Sequence, residues 1–143
     1  MRIIYIIHFM EYGGNMIRFS IDSGSSVPVY LQVIQAIKLE ILSSRLKNGD
    51  QLPPIRELAK ILKLNPNTVA KAYYTLEAEG FIESKRGSGN WVNTKNMKLD
   101  SFRRGMLEDE FRLFLDRALT LGAGLEDIKN LMERYAADES KRA

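Results

Sequence analysis

Only Lys63-Leu64-Asn65 separates two amphipathic helical patterns, and this spacing restricts the fold more than any other feature of the chain. Upstream, about Ile55 to Leu62 sets Leu58, Ala59 and Leu62 inward and Arg56, Lys60 and Lys63 outward. Downstream, Asn65 to Gly80 carries signals at both ends. Asn65 is a good N-cap, and Pro66 fits the first helical position, where a missing N–H costs nothing. Gly80 takes the left-handed backbone that stops a helix. Val69, Ala72, Tyr73 and Leu76 recur at helical spacing as one apolar face, which turns Asn67, Thr68, Lys71, Tyr74 and Thr75 to the other. Two short helices joined by so tight a turn form a helix-turn-helix, with the second as the reading helix. Its polar, non-acidic face carries side chains that hydrogen-bond to base edges and phosphates. Taken alone, such a face is more safely read as that of an ordinary solvated helix, so the flanking elements decide.

After Gly80 the period switches. Phe81 to Lys85 and Asn90 to Val92 read as two short strands around Arg86-Gly87-Ser88-Gly89. A hairpin directly after a helix-turn-helix is a wing. Gly87 and Gly89 permit close backbone approach, and Lys85 and Arg86 suit phosphates or a minor groove. Ahead of the two helices, Pro28 opens a helix to about Ser44 with Tyr30, Ile34, Ile37 and Ile41 at helical spacing and Val33 beside them. Leu46 to Pro54 reads as a loop from its Gly and Pro content.

Charge follows the same centre. Residues 38–95 hold ten Lys or Arg against six Asp or Glu, whereas residues 96–143 hold nine against ten. This is a modest electrostatic footprint for a polyanion, meaningful only alongside a motif. The chain has no cysteine and one histidine, His8. Disulfides, thiolate metal sites and cysteine or histidine catalysis in the main body are therefore excluded, and the composition fits a reducing cytoplasm. No phosphate loop, paired catalytic carboxylates or lysine in a cofactor context stands out. The expectation is a protein that is not an enzyme, with no cofactor and no metal.

Leu52-Pro53-Pro54-Ile55-Arg56-Glu57-Leu58-Ala59, the run Asn65-Pro66-Asn67-Thr68-Val69, Leu76-Glu77-Ala78-Glu79-Gly80-Phe81-Ile82 and Arg86-Gly87-Ser88-Gly89 together resemble a GntR-family winged helix-turn-helix domain, over roughly residues 27–93. The resemblance implies a bacterial transcription factor, usually a repressor, that binds a palindromic double-stranded operator as a homodimer. It implies DNA contacts from Arg56, from Asn65, Asn67 and Thr68, and from the wing tip at Arg86, Gly87 and Gly89. Lys71, Tyr74 and Lys85 join this set from their positions on the reading face and the wing. Many members carry arginines early in the reading helix, where this chain has Pro66 and Ala70, so their operator sequences do not transfer. The asparagine-proline-asparagine-threonine form is typical of the MocR and YtrA branches. About fifty residues follow the wing, too few for the aminotransferase-like domain of the first, so the chain is similar to the YtrA type. That type implies a target operon for membrane transport, often the factor's own.

The tail reads as two helices. Asp100 or Ser101 caps the first, to about Leu121, with Leu107, Phe111, Phe114, Leu115 and Ala118 as its stripe. Gly122-Ala123-Gly124 breaks it. Leu125, Ile128, Leu131, Met132 and Tyr135 form a second stripe, with Glu126 and Asp127 favouring the helix dipole. Two such helices are too small to enclose a ligand pocket of several hundred cubic ångström. Their stripes either fold back on the winged domain or, as favoured here, pair with a second chain. Two reading helices must be held about 34 Å apart to engage one face of DNA. Asp138 to Ala143 is expected to be disordered. The effector is left unknown.

The expected architecture is therefore mainly α with a small β-hairpin wing: residues 16–94 as the winged helix-turn-helix domain and 95–143 as a helical dimerisation tail. Residues 1–15 read as an apolar extension, too short to span a bilayer, with an added edge strand or partner-binding tail as the alternatives. No membrane partner is expected. A winged-helix protein-interaction module without DNA binding is the alternative function. Met16 opens a fresh segment and is the expected native start. Intact mass of the protein from its native host should match a chain beginning there; a mass that includes Met1 refutes it.

Overall fold

The computed structural model describes residues 6–142; residues 1–5 of the apolar extension, and Ala143, lie outside the described residues. β1 (Ile6–Tyr12) and β2 (Asn15–Ile21) pair antiparallel, from Ile6 opposite Ile21 to Tyr12 opposite Asn15. Gly13 and Gly14 close the turn at φ 58° and 82°, a backbone that glycine adopts without a Cβ clash. Alternation along β2 drives Ile17, Phe19 and Ile21 into the core, and Met10 of β1 joins them. For residues 6–12 the added-strand arrangement is the one observed, so the fold holds a second two-stranded sheet beside the wing.

Three helices follow: α1 (Val29–Leu42), α2 (Ile55–Leu62) and α3 (Pro66–Ala78). Val33, Ile34, Ile37 and Ile41 of α1 meet Leu58, Ala59 and Leu62 of α2 and Val69, Ala72, Tyr73 and Leu76 of α3 in one core. Tyr30, expected on the same stripe, is only half-buried. The tight turn closes through Lys63, whose φ of 54° is left-handed, with the Leu64 amide donating to the Ala59 carbonyl at 2.9 Å. At the far end of α3, Gly80 at φ 84° lets the Phe81 amide return to the Leu76 carbonyl at 2.9 Å. β3 (Ile82–Lys85) and β4 (Gly89–Val92) then form the wing.

The Leu46 to Pro54 stretch is more ordered than its composition implies. Gly49 donates to the Val92 carbonyl, Val92 to Asp50 and Leu52 to Asn90, each at 2.8 Å, and Gln51 bridges to Trp91. It is tied along β4 of the wing by an isolated bridge, without becoming a strand of the sheet. Its pairing is made by the backbone, and glycine and proline at its ends hide it from a periodicity reading. Leu46 and Leu52 anchor it in the core. Glu40 is 1% exposed, and the Arg45 guanidinium meets both its oxygens at 2.8 and 3.0 Å, so this buried carboxylate is paired.

The chain divides into two compact units between Leu99 and Asp100. Met97 and Leu99 pack against the core of the first, and the Thr94 amide donates to Asn48 Oδ1 at 2.8 Å, which carries that unit past the expected boundary at residue 94. The second unit holds α4 (Leu99–Thr120), all but its first residue, and α5 (Leu125–Arg142), with Gly122 at φ 87° between them. The end expected to be disordered instead continues α5 to Arg142. Ala136 and Ala137 are strong helix formers, Ser140 Oγ donates to the Ala136 carbonyl at 2.9 Å, and Arg142 approaches Glu139 at 3.7 Å. Among the described residues, no helix is long and apolar enough to cross a membrane.

The buried Tyr73 hydroxyl donates to the Pro53 carbonyl at 2.6 Å, tying α3 to the entry of α2. Burial raises its pKa, with a smaller contribution from Tyr12. Because the folded state holds the proton more tightly, this stability is complete below the ordinary phenol pKa of about 10 and is lost as pH rises beyond it. Tyr73→Phe should cost about 1–2 kcal/mol in urea unfolding at pH 7 by orphaning the Pro53 carbonyl, and should flatten the loss of stability above pH about 10.

Candidate nucleic-acid interface

Burial of Val69, Ala72, Tyr73 and Leu76 decides what α3 presents to solvent. Asn67, Lys71 and Tyr74 are exposed, Tyr74 to 75%, and Thr68 is half-buried at the edge of the face. Asn65 is also exposed, but its side-chain oxygen accepts the Asn67 amide at 2.8 Å. It caps the helix, so that oxygen is already engaged. Thr75 donates back to the Lys71 carbonyl at 2.9 Å, which takes its hydroxyl out of the face.

Lys71 departs from the simple reading of an extended cation. Its Nζ lies 3.9 Å from the centre of the Tyr30 ring, at the start of α1. Tyr30 therefore acts as a rest for a reading-face cation, a part that its place on an apolar stripe did not reveal. Arg56 lies in the first turn of α2 and is exposed. Among the described residues, neither Arg56 nor Arg86 has an ion-pair partner. Both guanidinium groups are open to solvent.

The wing tip is the turn Arg86-Gly87-Ser88, closed by the Ser88 amide on the Lys85 carbonyl at 2.9 Å. Gly87 and Gly89 stand at φ 75° and 102°, where a Cβ is strained. Lys85, Arg86, Gly87 and Gly89 are all exposed, with the Lys85 ammonium 5.5 Å from the centre of the Trp91 ring. Glu77 of α3 accepts the Ser84 amide at 3.1 Å, so the reading helix and the wing are held together directly. Gln51 makes a second tie, its Nε2 donating to the Ser88 carbonyl at 3.0 Å. No motif marks Gln51, and only the fold brings it to the tip. Among the described residues, no cluster of His, Asp or Glu is placed to hold a metal ion.

Residues 29–92 match the profile of the bacterial regulatory proteins of the gntR family. The HTH-type transcriptional repressor YtrA of Bacillus subtilis is 39% identical over 120 residues, which cover 82% of this chain and 92% of that protein. The chain belongs to the GntR family. Two solved members agree in fold. A GntR-family transcriptional regulator from Listeria monocytogenes superposes with a TM-score of 0.65 at 28% identity, covering 77% of this chain and 96% of its own. YtrA from Sulfolobus acidocaldarius, a GntR-family transcription factor, gives 0.50 at 35% identity, covering 82% and 96%. The expected family, and its winged helix-turn-helix followed by C-terminal helices, are thus established.

In the tail of this GntR-family chain, Ala118 and Ile128 are buried beside the turn. Leu107, Phe111, Phe114, Leu125, Leu131, Met132 and Tyr135 are exposed, and Leu115 is half-buried. Leu113 and Leu119, outside the stripe read from sequence, are exposed too.

The cap makes a separable prediction. Asn65→Ala should lower stability by about 1 kcal/mol in urea unfolding, and Asn65→Asp should restore it, because both the amide and the carboxylate oxygen accept the Asn67 amide.

Proposed function

We propose that this chain is a sequence-specific DNA-binding transcriptional repressor that acts as a homodimer on a palindromic operator. The observation that carries the reading is the outward polar face of α3, flanked by unpaired Arg56 on one element and Arg86 on the next. α3 enters the major groove, where Asn67 and Thr68 read bases, and the wing lies along an adjacent minor groove. Arg56, Lys71, Lys85 and Arg86 hold phosphates and fix the register. Asn65 supports the face by capping it, and Tyr74 adds an exposed ring and hydroxyl.

The exposed stripes of α4 and α5 take a second copy of the chain, at Leu107, Phe111, Phe114, Leu125, Leu131, Met132 and Tyr135. Occlusion of a promoter is the mechanism, in keeping with the YtrA relative's name as a repressor; an operon of transport proteins or the factor's own is the target that the family resemblance implies. The protein acts in the cytoplasm, needs no cofactor and catalyses no reaction. A winged-helix protein-interaction module is the second reading, favoured by Pro66 and Ala70 where other family members carry arginines.

Arg56→Ala separates them. In a mobility-shift assay on DNA upstream of its own gene, the variant should bind about tenfold more weakly, with a salt slope lower by about one, while sedimentation still shows a dimer. Asn67→Ala should cost about 1–3 kcal/mol and relax discrimination at one position of each half-site. Wild-type binding that is equal on random DNA at moderate salt would rule the repressor out.

A further inference from the structure

Gln51 is the point at which three parts of the first unit converge. Its backbone bridges to Trp91 of β4. Its carbonyl lies against the β1–β2 turn, where a Cβ on Gly13 would stand 3.9 Å away. Its side-chain amide crosses 37 positions of sequence to donate to the Ser88 carbonyl at 3.0 Å. The fit is close: a Cβ on Gly89 would meet Gln51 Nε2 at 3.0 Å, so the absence of a side chain there leaves room for the amide.

From this we infer that Gln51 is a positioning residue for the wing, setting where the Arg86-Gly87-Ser88 turn is held relative to the reading helix. The inference rests on the DNA-binding reading above. The wing has two restraints of different reach. Glu77 holds the Ser84 amide, low on β3. Gln51 holds the tip itself, through the residue between the two left-handed glycines. Glycine at positions 87 and 89 leaves this turn able to swing, because glycine populates many backbone states. A single donor on its last carbonyl removes much of that freedom before DNA arrives, and the ordering cost is then not met at binding. Gln51 is only half-buried and its bond is open to solvent, so its effect falls on the wing and not on global stability.

The test is a double-mutant cycle on the full chain, using a duplex of about 30 base pairs selected from a random pool by the wild-type protein. Arg86→Ala should weaken binding about tenfold in the wild-type background and less than about threefold in Gln51→Ala, because an unheld tip no longer delivers Arg86 to the DNA. Gln51→Met, which keeps the length of the side chain and removes the donor, should reproduce Gln51→Ala. Melting temperatures of both Gln51 variants should lie within about 3 °C of wild type. Equal factors in the two backgrounds overturn the role of Gln51 and leave the repressor reading intact. An Arg86→Ala variant that binds as wild type also overturns it. Selection that enriches no sequence at all sinks the repressor reading itself.

Discussion

The seating of α3 governs everything else in the first unit. With Val69, Ala72, Tyr73 and Leu76 buried, a period of 3.6 residues leaves Asn67, Lys71 and Tyr74 nowhere to go but outward. Rotation of that helix by one position would bury Lys71 or Tyr74 and expose Leu76. The bond from Tyr73 to Pro53 pins the rotation from inside, and the Asn65 cap pins it at the start. The presentation of the reading face thus follows from hydrophobic burial and two hydrogen bonds, none of which touches a ligand.

Much of this was legible in advance, and the reason is local. Asn65, Pro66 and Gly80 mark the ends of α3 by backbone chemistry that needs no tertiary context. Apolar residues at a helical period locate α1 and α2 as securely. The wing was legible because its turn demands glycine at Gly87 and Gly89. The backbone pairing of residues 49–52 was not. That pairing with β4 uses backbone groups, which every residue possesses, and so leaves no pattern in side chains. Gln51 and Tyr30 were hidden for a related reason: each acts on a residue far away in sequence, and only the assembled fold supplies the neighbour.

The second unit is the reverse case. Its helices were readable from periodicity, yet α5 outran its expected end because charge content argues for disorder only where helix formers are lacking. Ala136 and Ala137 sustain the helix through a run of charges. Its apolar positions are spread round α4 more widely than a single stripe, which is why Leu113 and Leu119 went unassigned. The GntR-family match ends at residue 92, whereas the similarity to the Bacillus YtrA protein covers 82% of the chain, too much to end with the wing.

The enclosed Glu40 carboxylate has a consequence for how this sequence can change over generations. Loss of Arg45 alone strands a negative charge in the core, and loss of Glu40 alone leaves the guanidinium without its anchor at the exit of α1. The first step is the costly one, because Glu40 is buried and Arg45 is exposed, whereas replacing both with apolar groups of like size is close to neutral. A glutamate kept at position 40 therefore constrains position 45 to a residue that can neutralise it, while position 45 places no such demand in return.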